Sequence, residues 1–359
     1  MKLRYTISNC TDPFTNLATE EYLTFRAPED EVLLFLWQNA NTVVIGKNQN
    51  AWRECRVEAM KAEGCKLARR MSGGGAVYHD LGNLNFTFIA REGLYDIPKQ
   101  TEVILEAVRS LGIPAVKNGR NDLTVDDMKF SGHAYYRSRG YCYHHGTLML
   151  DVDPEPLTRY LAVSAEKLRS KGVKSVRSRV TNLRDHCPDL TKERMIKALL
   201  TAFAKLYTED ADTSSLMEKA SSETLLGRLE YLPLPVPTED AALAELTERY
   251  ASDEWRYGAR IPFNTEVSRR FPWGEVHAVL EVNEGRIRQA ALYSDSLETE
   301  IFRLLADRLN GTPYTRRALL DVYEDFTDSH TFDTNSYASI DLYPTIARDI
   351  CSLLAEQIS

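Results

Sequence analysis

The sequence predicts a mixed α/β protein of two domains. Three observations predict this class: a length of 359 residues, short β-rich runs that alternate with helical patterns, and a change of character near residues 210–240. Hydrophobic residues make up 43% of the chain and charged residues 27%, as in ordinary globular proteins. This composition argues against a disordered chain.

The first part of the chain contains the longest series of recognisable elements. Alternating or β-branched runs predict strands over 3–7, 31–37, 42–45 and around Phe86 and Phe88. Helical periodicity predicts helices over 13–23, 54–63, 98–111, 191–207 and 239–250. Asp12 followed by Pro13 is typical of a helix start, with aspartate as the N-cap, and Gly64 is typical of a helix end.

The later part of the chain follows a stretch of linker-like sequence. Residues 208–245 contain an Asp-Thr-Ser-Ser run and a Pro-rich run, and they predict an atypical linker region. Beyond it, a hairpin is predicted over 274–282 and 286–293, with helices near 297–309 and 313–324. The sequence therefore predicts a first domain over 1–245 and a small α/β domain over 246–359.

Charge and cysteine content exclude several classes of protein. The formal net charge is −8, from 44 Lys and Arg against 52 Asp and Glu, which is a poor basis for binding nucleic acid. No apolar run approaches the ~18 residues of a membrane span, and the N-terminus lacks a signal-peptide pattern. Six scattered cysteines contain no Cys-x-x-Cys pair. We expect a soluble, reduced, cytoplasmic protein with no membrane or nucleic-acid partner.

The strongest chemical motif is Arg-Arg-Met-Ser-Gly-Gly-Gly-Ala-Val-Tyr-His-Asp at 69–80. Three consecutive glycines let backbone amides approach an anion closely, and the arginines could complete such a site with planar charged forks. The alternative is a flexible loop with surface arginines, about as frequent for a bare glycine triplet. The motif is neither a P-loop nor a dinucleotide-binding fingerprint.

Two further motifs carry candidate site residues. In 119–134, Asn121 and Asp122 offer oxygen ligands suited to Mg²⁺ beside a polyphosphate, and Lys129 lies on a predicted strand among small residues, where an ammonium could hold a carboxylate. Spacing alone favours the alternative, an exposed hairpin with an outward lysine. In 141–148, His144 and His145 are adjacent, so one is expected inward and the other outward.

Together these motifs resemble the lipoate–protein ligase A family, in the biotin/lipoate ligase superfamily. The residues that carry the resemblance are 69–77, 119–123, 129–134, 144–148 and 171–183, and in the second domain 253–258 and 272–274. They occur in the same order over nearly the whole chain. The weakest stretch is about 208–245.

The resemblance implies a biotin/lipoate-ligase-type catalytic domain, related to class II aminoacyl-tRNA synthetases, and a C-terminal accessory domain. The implied enzyme uses lipoate and MgATP to form lipoyl-AMP, and then transfers the lipoyl group to a lysine of an acceptor. The implied acceptors are the lipoyl domains of 2-oxoacid dehydrogenase E2 subunits and the glycine cleavage H protein. ATP and Mg²⁺ enter as substrate and ion, and no tightly bound prosthetic group is expected.

By the same resemblance, Lys129 would bridge the lipoyl carbonyl and the AMP phosphate as the catalytic residue. The implied binding residues for ATP or lipoyl-AMP are Arg70, Gly75, Ala76, Val77, Tyr78, Asn121, Asp122, Lys129 and Ala134, with Asp122 also a ligand for Mg²⁺. The rest of the lipoate pocket should be hydrophobic. Residues 171–182 are a candidate mobile segment over the adenylate, or alternatively a solvated basic turn.

Two other functions remain open at this stage. An octanoyl-transferase of the same fold works through a cysteine thioester, and its cysteine lies three residues before a histidine, as Cys142 lies before His145. A non-catalytic module that binds lipoyl domains is the other alternative. Pyrophosphate release from lipoate and MgATP without a carrier protein would separate all three.

Overall fold

An eight-stranded mixed sheet lies at the centre of the N-terminal part of the chain. The computed structural model describes residues 1–118, 122–153, 155–162, 180–208, 221–258, 262–329 and 342–358. In spatial order the strands are β11 (Glu230–Tyr231), β1 (Lys2–Ile7), β2 (Glu31–Trp37), β6 (Asn83–Arg91), β10 (Tyr141–Met149), β9 (Met128–Ser138), β8 (Asp122–Val125) and β7 (Val116–Asn118). The first three pair in parallel and the others antiparallel. A three-stranded sheet has the order β4 (Lys66–Arg69), β3 (Thr42–Ile45), β5 (Val77–His79).

The described helices of this part largely match the helices predicted from the sequence. They are α1 (Pro13–Thr24), α2 (Ala51–Glu54), α3 (Val57–Ala62), α4 (Ile97–Ser110), α5 (Glu155–Tyr160), α6 (Lys192–Thr208), α7 (Ser222–Leu226), α8 (Ala241–Ala251) and α9 (Asp253–Tyr257). The predicted cap of α1 is confirmed, because Asp12 Oδ2 accepts a hydrogen bond from the Thr15 amide at 2.9 Å.

The single helix predicted over 54–63 was wrong, since this segment contains the end of α2 and a separate α3. At the break, Cys55 pairs with Leu161 in an isolated β-bridge. The Arg56 amide donates to the Tyr160 carbonyl at 2.8 Å. Cys55 and Arg56 thus pair with residues about a hundred positions later in the chain. The local hydrophobic periodicity therefore does not reveal the break between the two helices.

The main hydrophobic core lies between one face of the central sheet and the helices α4 and α6. Side chains at alternate positions of β2, β6 and β10 point into it, including Leu34, Leu36, Phe86, Phe88 and Leu148. Val103, Ile104, Leu199 and Phe203 complete it from the two helices. The residues between these positions are also buried throughout β2 and in most of β6, so both faces of these two strands are covered.

The helix α1 contacts β6 and β10 and is itself held by α8. The carboxylate of Glu21 on α1 accepts a hydrogen bond from the Tyr250 hydroxyl at 2.7 Å and forms an ion pair with Arg249. Tyr22 donates to Asp240, the N-cap of α8, at 2.6 Å. The predicted domain boundary after residue 245 lies inside this helix.

The C-terminal part contains a three-stranded antiparallel sheet and three described helices. The elements are β12 (Thr265–Phe271), β13 (Gly274–Asn283), β14 (Arg286–Ser294), α10 (Glu300–Leu309), α11 (Arg316–Ser329) and α12 (Leu342–Ala355). The predicted hairpin is confirmed, and Glu284 and Gly285 in its turn have φ of 49° and 70°. The helix α12 was not predicted; it contributes Ile346 and Ile350 to a second core.

The described residues group into two compact units. One comprises Met1–Val44, Cys55–Ala68 and Val77–Arg256, and the other comprises Ile45–Glu54, Arg69–Ala76 and Tyr257–Ser359. Two short N-terminal segments thus group with the C-terminal part. No helix in the described part of the chain is long and apolar enough to cross a membrane.

We expect Tyr250→Phe to lower the free energy of unfolding by about 1–3 kcal/mol, because it removes a donor from the buried Glu21 carboxylate. Tyr22→Phe is a matched control: it removes a hydroxyl–carboxylate bond of similar length, at a more accessible place. Urea unfolding of the two variants should show the larger loss for Tyr250→Phe. Equal losses of unfolding free energy would contradict the greater burial of the Tyr250–Glu21 hydrogen bond.

Candidate active site

The ammonium of Lys129 on β9 lies over the backbone of Gly132. A Cβ added at Gly132 would meet Lys129 Nζ at 2.8 Å and Cε at 3.0 Å. Lys129 Nζ also lies 2.7 Å from Asp122 Oδ1, and both side chains are partly exposed. The glycine within the small-residue run is therefore what leaves room for the lysine side chain on the sheet.

The strand register shows which residues share a face with this ammonium. Gly132 pairs with Asp122 on β8, and its amide donates to the Thr147 hydroxyl on β10 at 3.4 Å. Thr147 pairs with Asn85 on β6, and Asn85 pairs with Trp37 on β2. Opposed residues of antiparallel strands present their side chains to the same face. Trp37, Asn85, Thr147 and the Lys129 ammonium therefore form one row across the sheet.

A second row beside the first contains a buried polar network. His145 pairs with Thr87 on one side and with Ala134 on the other. His145 Nδ1 lies 2.9 Å from Glu20 Oε1, the Thr87 hydroxyl donates to the same oxygen at 2.7 Å, and Trp37 Nε1 donates to the Thr87 hydroxyl at 3.0 Å. All of these side chains are buried. Ala134, a predicted binding residue, thus lies directly beside His145.

The two rows together combine one cation with a surface of aromatic and hydrogen-bonding side chains. Lys129 is partly exposed and Thr147 is half-buried, whereas the remaining members are buried. Such a face suits a ligand with an anionic head and an apolar body, since the cation fixes the head and the buried side chains fix the rest. The alternative of an outward lysine on a plain hairpin is not supported by this arrangement.

His144 belongs to the opposite, helix-covered face. His144 Nε2 lies 2.8 Å from His133 Nδ1, and its Nδ1 lies 3.1 Å from Gln100 Oε1 on α4. Burial lowers the pKa of His133 to about 3 and holds the pKa of His144 well below its usual value. Both rings are therefore neutral at pH 7. The two adjacent histidines do face opposite sides, but both are buried, so the expectation of an outward one was wrong.

The geometry of Cys142 does not support a thioester mechanism. Cys142 lies on β10 with an even number, as His144 does, so it points away from His145. The thiol is fully buried, and burial raises its pKa to about 11. At neutral pH it is an uncharged thiol, whereas a nucleophilic cysteine requires thiolate character.

Within the second unit, the glycine-rich segment is braced by Arg70. The guanidinium of Arg70 donates through Nη2 to the carbonyls of Gly73 and Gly75, at 2.7 and 2.8 Å, and through Nε to the Ser72 hydroxyl at 3.0 Å. Arg70 is buried. The segment is thus an ordered loop, and the alternative of a flexible loop with surface arginines was wrong.

Arg69 has a different role from Arg70. Its Nη1 donates to the carbonyls of Gly46, Lys47 and Gln49, at 3.2, 2.9 and 2.7 Å. Arg69 is the last residue of β4, and its guanidinium fixes the segment of chain that follows β3. Among the contacts of the described residues, those to Gly73 and Gly75 come from Arg70, and those to the segment after β3 come from Arg69.

The three glycines are required for different reasons. A Cβ at Gly73 would lie 2.4 Å from the Ser296 carbonyl oxygen, and Gly74 has φ of +90° while its amide donates to the same oxygen at 2.8 Å. A Cβ at Gly75 would meet nothing within 4 Å. Packing therefore accounts for Gly73 and backbone conformation for Gly74, but nothing in the described protein accounts for Gly75.

The remaining predicted residues of this motif lie at or next to a strand. Gly75 and Ala76 are half-buried and precede β5, and Val77 and Tyr78 are half-buried within it. The Tyr78 hydroxyl donates to Asn41 Oδ1 at 3.2 Å, and burial raises the pKa of that hydroxyl. Val77 and Tyr78 pair with Val44 and Val43 of β3.

The predicted magnesium ligands are only partly described. Asn121 lies outside the described residues, and Asp122 is paired with Lys129. Among the described residues, no group of three or more His, Cys, Asp or Glu could hold a metal ion. Most of 171–182 also lies outside the described residues; at its end, the Thr181 amide donates to the Lys129 carbonyl at 2.9 Å.

The sequence analysis missed several residues of the lysine's face, namely Glu20, Trp37, Asn85, Thr87 and Gly132. One signal for them was present in the sequence. Over residues 83–88, polar side chains alternate with apolar ones: Asn83, Asn85 and Thr87 are polar, and Leu84, Phe86 and Phe88 are apolar. This alternation predicts a strand with one polar face and one apolar face. Glu20 lies on a helix remote in sequence, and no local pattern points to it.

We expect Gly73→Ala to be destabilising by about 1–3 kcal/mol, because the added Cβ overlaps backbone that cannot move away cheaply. Gly75→Ala should change the free energy of unfolding by less than about 0.5 kcal/mol. Thermal unfolding of the two variants checks this difference. A destabilising Gly75→Ala would show that the protein itself packs against that position.

Comparison with known proteins supports an assignment of the chain. The family model of the lipoyl protein ligase A/B catalytic domain matches residues 12–204, and that of the bacterial lipoate protein ligase C-terminus matches residues 260–341. The chain is 36% identical over 332 residues to lipoate-protein ligase A of Psychrobacter cryohalolentis, covering 92% of this chain and 94% of the relative.

Solved structures agree with this similarity. LipL1 of P. falciparum in complex with lipoate matches with a TM-score of 0.79 at 25% identity, over 98% of this chain and 99% of that one. A bi-partite lipoate protein ligase of Thermoplasma acidophilum, described together with its E2 lipoyl domain, matches with a TM-score of 0.60 at 27% identity, over 73% and 99%. The expected mixed α/β, lipoate-ligase-type fold is confirmed. On this evidence the chain belongs to the lipoate–protein ligase A family.

Proposed function

We propose that Lys129 is the residue at which lipoate is activated in this ATP-dependent lipoate–protein ligase. One observation carries the proposal: the Lys129 ammonium lies over Gly132, on the sheet face that also bears Thr147, Asn85 and Trp37. A carboxylate held by that cation would leave its apolar chain against the buried part of the same face. Lipoate has this division, with a carboxylate at one end and an apolar chain with a dithiolane ring at the other.

The first step joins two anions. A lipoate carboxylate oxygen attacks the α-phosphorus of MgATP, the bond to the β-phosphate oxygen breaks, and pyrophosphate leaves with its magnesium. Without positive charge, a carboxylate and a triphosphate would repel each other at bonding distance. Lys129 reduces that repulsion and then stabilises the charge that develops between carboxyl and phosphate.

The nucleotide-binding roles of Arg70, Gly75, Ala76, Val77, Tyr78, Asn121 and Asp122 are part of the proposal. Gly75 offers the best support, since no described atom lies within 4 Å of a Cβ placed there and close approach of a ligand would account for the glycine. Arg70 acts in this scheme by bracing the loop as well as by its charge. Asp122 supplies a single described carboxylate, which suits a magnesium ion that arrives with phosphate ligands and water.

In the second step, the ε-amine of the acceptor lysine attacks the carbonyl carbon of lipoyl-AMP. The carbon–oxygen bond to the phosphate breaks, AMP leaves, and the amine loses a proton as the amide forms. In this scheme Lys129 binds both parts of the mixed anhydride. Water must be excluded during this interval. The Thr181 amide donates to the Lys129 carbonyl, so Thr181 lies next to the proposed site.

We propose lipoyl domains as the acceptors, specifically those of 2-oxoacid dehydrogenase E2 subunits and the glycine cleavage H protein. The archaeal ligase described with its E2 lipoyl domain supports the general class. The named acceptors rest on the family resemblance. Basic residues within 171–182 would attract an acidic acceptor surface.

We also propose a functional division between a catalytic domain over 1–245 and an accessory domain over 246–359. Every proposed ligand-binding residue lies before residue 183. The glycine-rich segment Arg69–Ala76, however, groups with Tyr257–Ser359. In this scheme the C-terminal part contributes to activation through the backbone it holds, in particular through the Ser296 carbonyl that binds Gly74.

We expect Lys129→Ala to fold normally and to lose lipoyl-AMP formation by at least about 10²-fold. Lys205→Ala is the matched control, because it removes a lysine with a comparable ion pair, 2.6 Å to Glu106, on α6. Pyrophosphate release from lipoate and MgATP, without acceptor, measures the step. Near-normal release by Lys129→Ala would disprove the assignment.

Gly132→Ala tests the same site without removing the cation. The added Cβ should displace the Lys129 ammonium and reduce pyrophosphate release, while thermal stability changes little because the lysine side chain can swing outward. Full activity with an alanine at this position would show that the lysine does not act from its observed place.

We expect Cys142→Ser to keep most lipoate- and ATP-dependent activity, because the thiol does no covalent work. In the folded enzyme, Cys142 should be alkylated by iodoacetamide only slowly at neutral pH, since its pKa is about 11; the thiolate fraction should rise as pH increases toward that value. Mass spectrometry after incubation with an octanoyl-carrier protein should show no adduct. A stable octanoyl adduct on Cys142 would support the transferase instead.

A further inference from the structure

Asn85 has a buried donor that no described residue satisfies. The side chain is 1% exposed, and its Nδ2 has no hydrogen-bond partner among the described residues. A buried amide donor without an acceptor is destabilising, because the group has lost its hydrogen bond to water and gained none. On a sheet face that binds a ligand, such a donor indicates that the ligand brings the acceptor.

The orientation of this amide is set by its neighbour on the same strand. Asn83 Nδ2 donates to Asn85 Oδ1 at 2.9 Å, and both residues face the lysine's side of the sheet. The oxygen of Asn85 is therefore occupied, and the nitrogen is the group left for a partner. The adjacent indole of Trp37 does not compete for the same acceptor, because its N–H binds Thr87.

The strand order places Asn85 at a defined distance from the lysine. Asn85 on β6 and Gly132 on β9 are separated by β10 alone, so two strand spacings, about 10 Å, divide them. The Lys129 ammonium lies over Gly132. An extended eight-carbon acyl chain spans about 9 Å, from bonds of ~1.5 Å in a zigzag. A substrate whose carboxylate is held at Lys129 is thus long enough to reach Asn85 with the far end of its chain.

We propose that Asn85 is a specificity-determining residue that donates its Nδ2 hydrogen to a sulfur atom of the lipoate dithiolane. The inference rests on the proposed function, since it takes the carboxylate to be at Lys129. Divalent sulfur is a weak acceptor, but a weak acceptor is better for a buried donor than none. Octanoate has only hydrocarbon at this end and leaves the donor unsatisfied, so Asn85 favours lipoate over octanoate.

The test compares three acids by pyrophosphate release with MgATP: lipoate, octanoate, and 5-cyclopentylpentanoate, which has a carbon ring in place of the dithiolane. With the wild-type enzyme, kcat/KM for lipoate should exceed that for the carbocyclic acid by about two- to tenfold. In Asn85→Leu this ratio should fall to about one, because the donor is gone and the side-chain volume is kept. Asn85→Val serves as a second variant if the leucine variant folds poorly.

Gln100→Leu is the matched control. Gln100 is a buried amide on the opposite face, bonded to His144, and its loss should leave the lipoate-to-carbocycle ratio unchanged. An unchanged ratio in both Asn85 variants would overturn the inference. An equal loss for all three acids would also overturn it, since Asn85 would then act on the shared chain or on the fold. If the wild-type enzyme releases no pyrophosphate with any of them, the proposed function fails instead.

Discussion

The alternation of side chains along four neighbouring antiparallel strands governs the rest of this structure. In β2, β6 and β10, and in β9 apart from an irregularity where it pairs with β8, successive residues point to opposite faces, so the sheet can serve two purposes at once. Leu34, Phe86 and Leu148 build the core with α4 and α6. Their sequence neighbours Asn85 and Thr147 belong to the lysine's face. A shift of the register by one residue would exchange the two sets and destroy both core and site.

The same alternation brings many polar groups together in the interior, where they form hydrogen bonds with one another. Glu20, Thr87, His145 and the Trp37 indole satisfy one another through short hydrogen bonds. A buried polar network of this kind is stable only when its members are paired. Glu20 lies on α1, which α8 holds through Tyr250 and Arg249. The stretch near residue 245, which looked like linker in the sequence, therefore supports the position of a buried carboxylate in the network.

Much of this architecture could be predicted from local sequence. The cap Asp12 and the hairpin after Gly274, with Glu284 and Gly285 in its turn, both follow from residues close together in the chain. Lys129 could be proposed from the sequence, because a lysine beside a small-residue run is a local signal. The reason for that run was not: only the folded chain shows the ammonium lying over Gly132.

What escaped prediction depends on contacts between distant residues. Nothing in the Arg-Arg dipeptide shows that Arg69 binds three carbonyls near Gly46 while Arg70 binds Gly73 and Gly75. Likewise, a glycine triplet does not show that the Ser296 carbonyl, more than two hundred residues away, leaves no room for a side chain at Gly73. Such facts need the tertiary structure, because the partner atoms have no sequence proximity.

The order of the strands in the central sheet also affects the order in which the candidate site forms during folding. The β9–β10 hairpin joins neighbours in sequence, whereas the row from Trp37 to Thr147 needs β2, β6 and β10 to meet across roughly a hundred residues. Closing loops of that length costs entropy before any contact compensates it, and nonlocal strand pairing is slow. We therefore expect the β9–β10 hairpin, which carries Lys129, to pair before the surface that the lysine faces is complete. A nascent or partly folded chain would carry the lysine without the site.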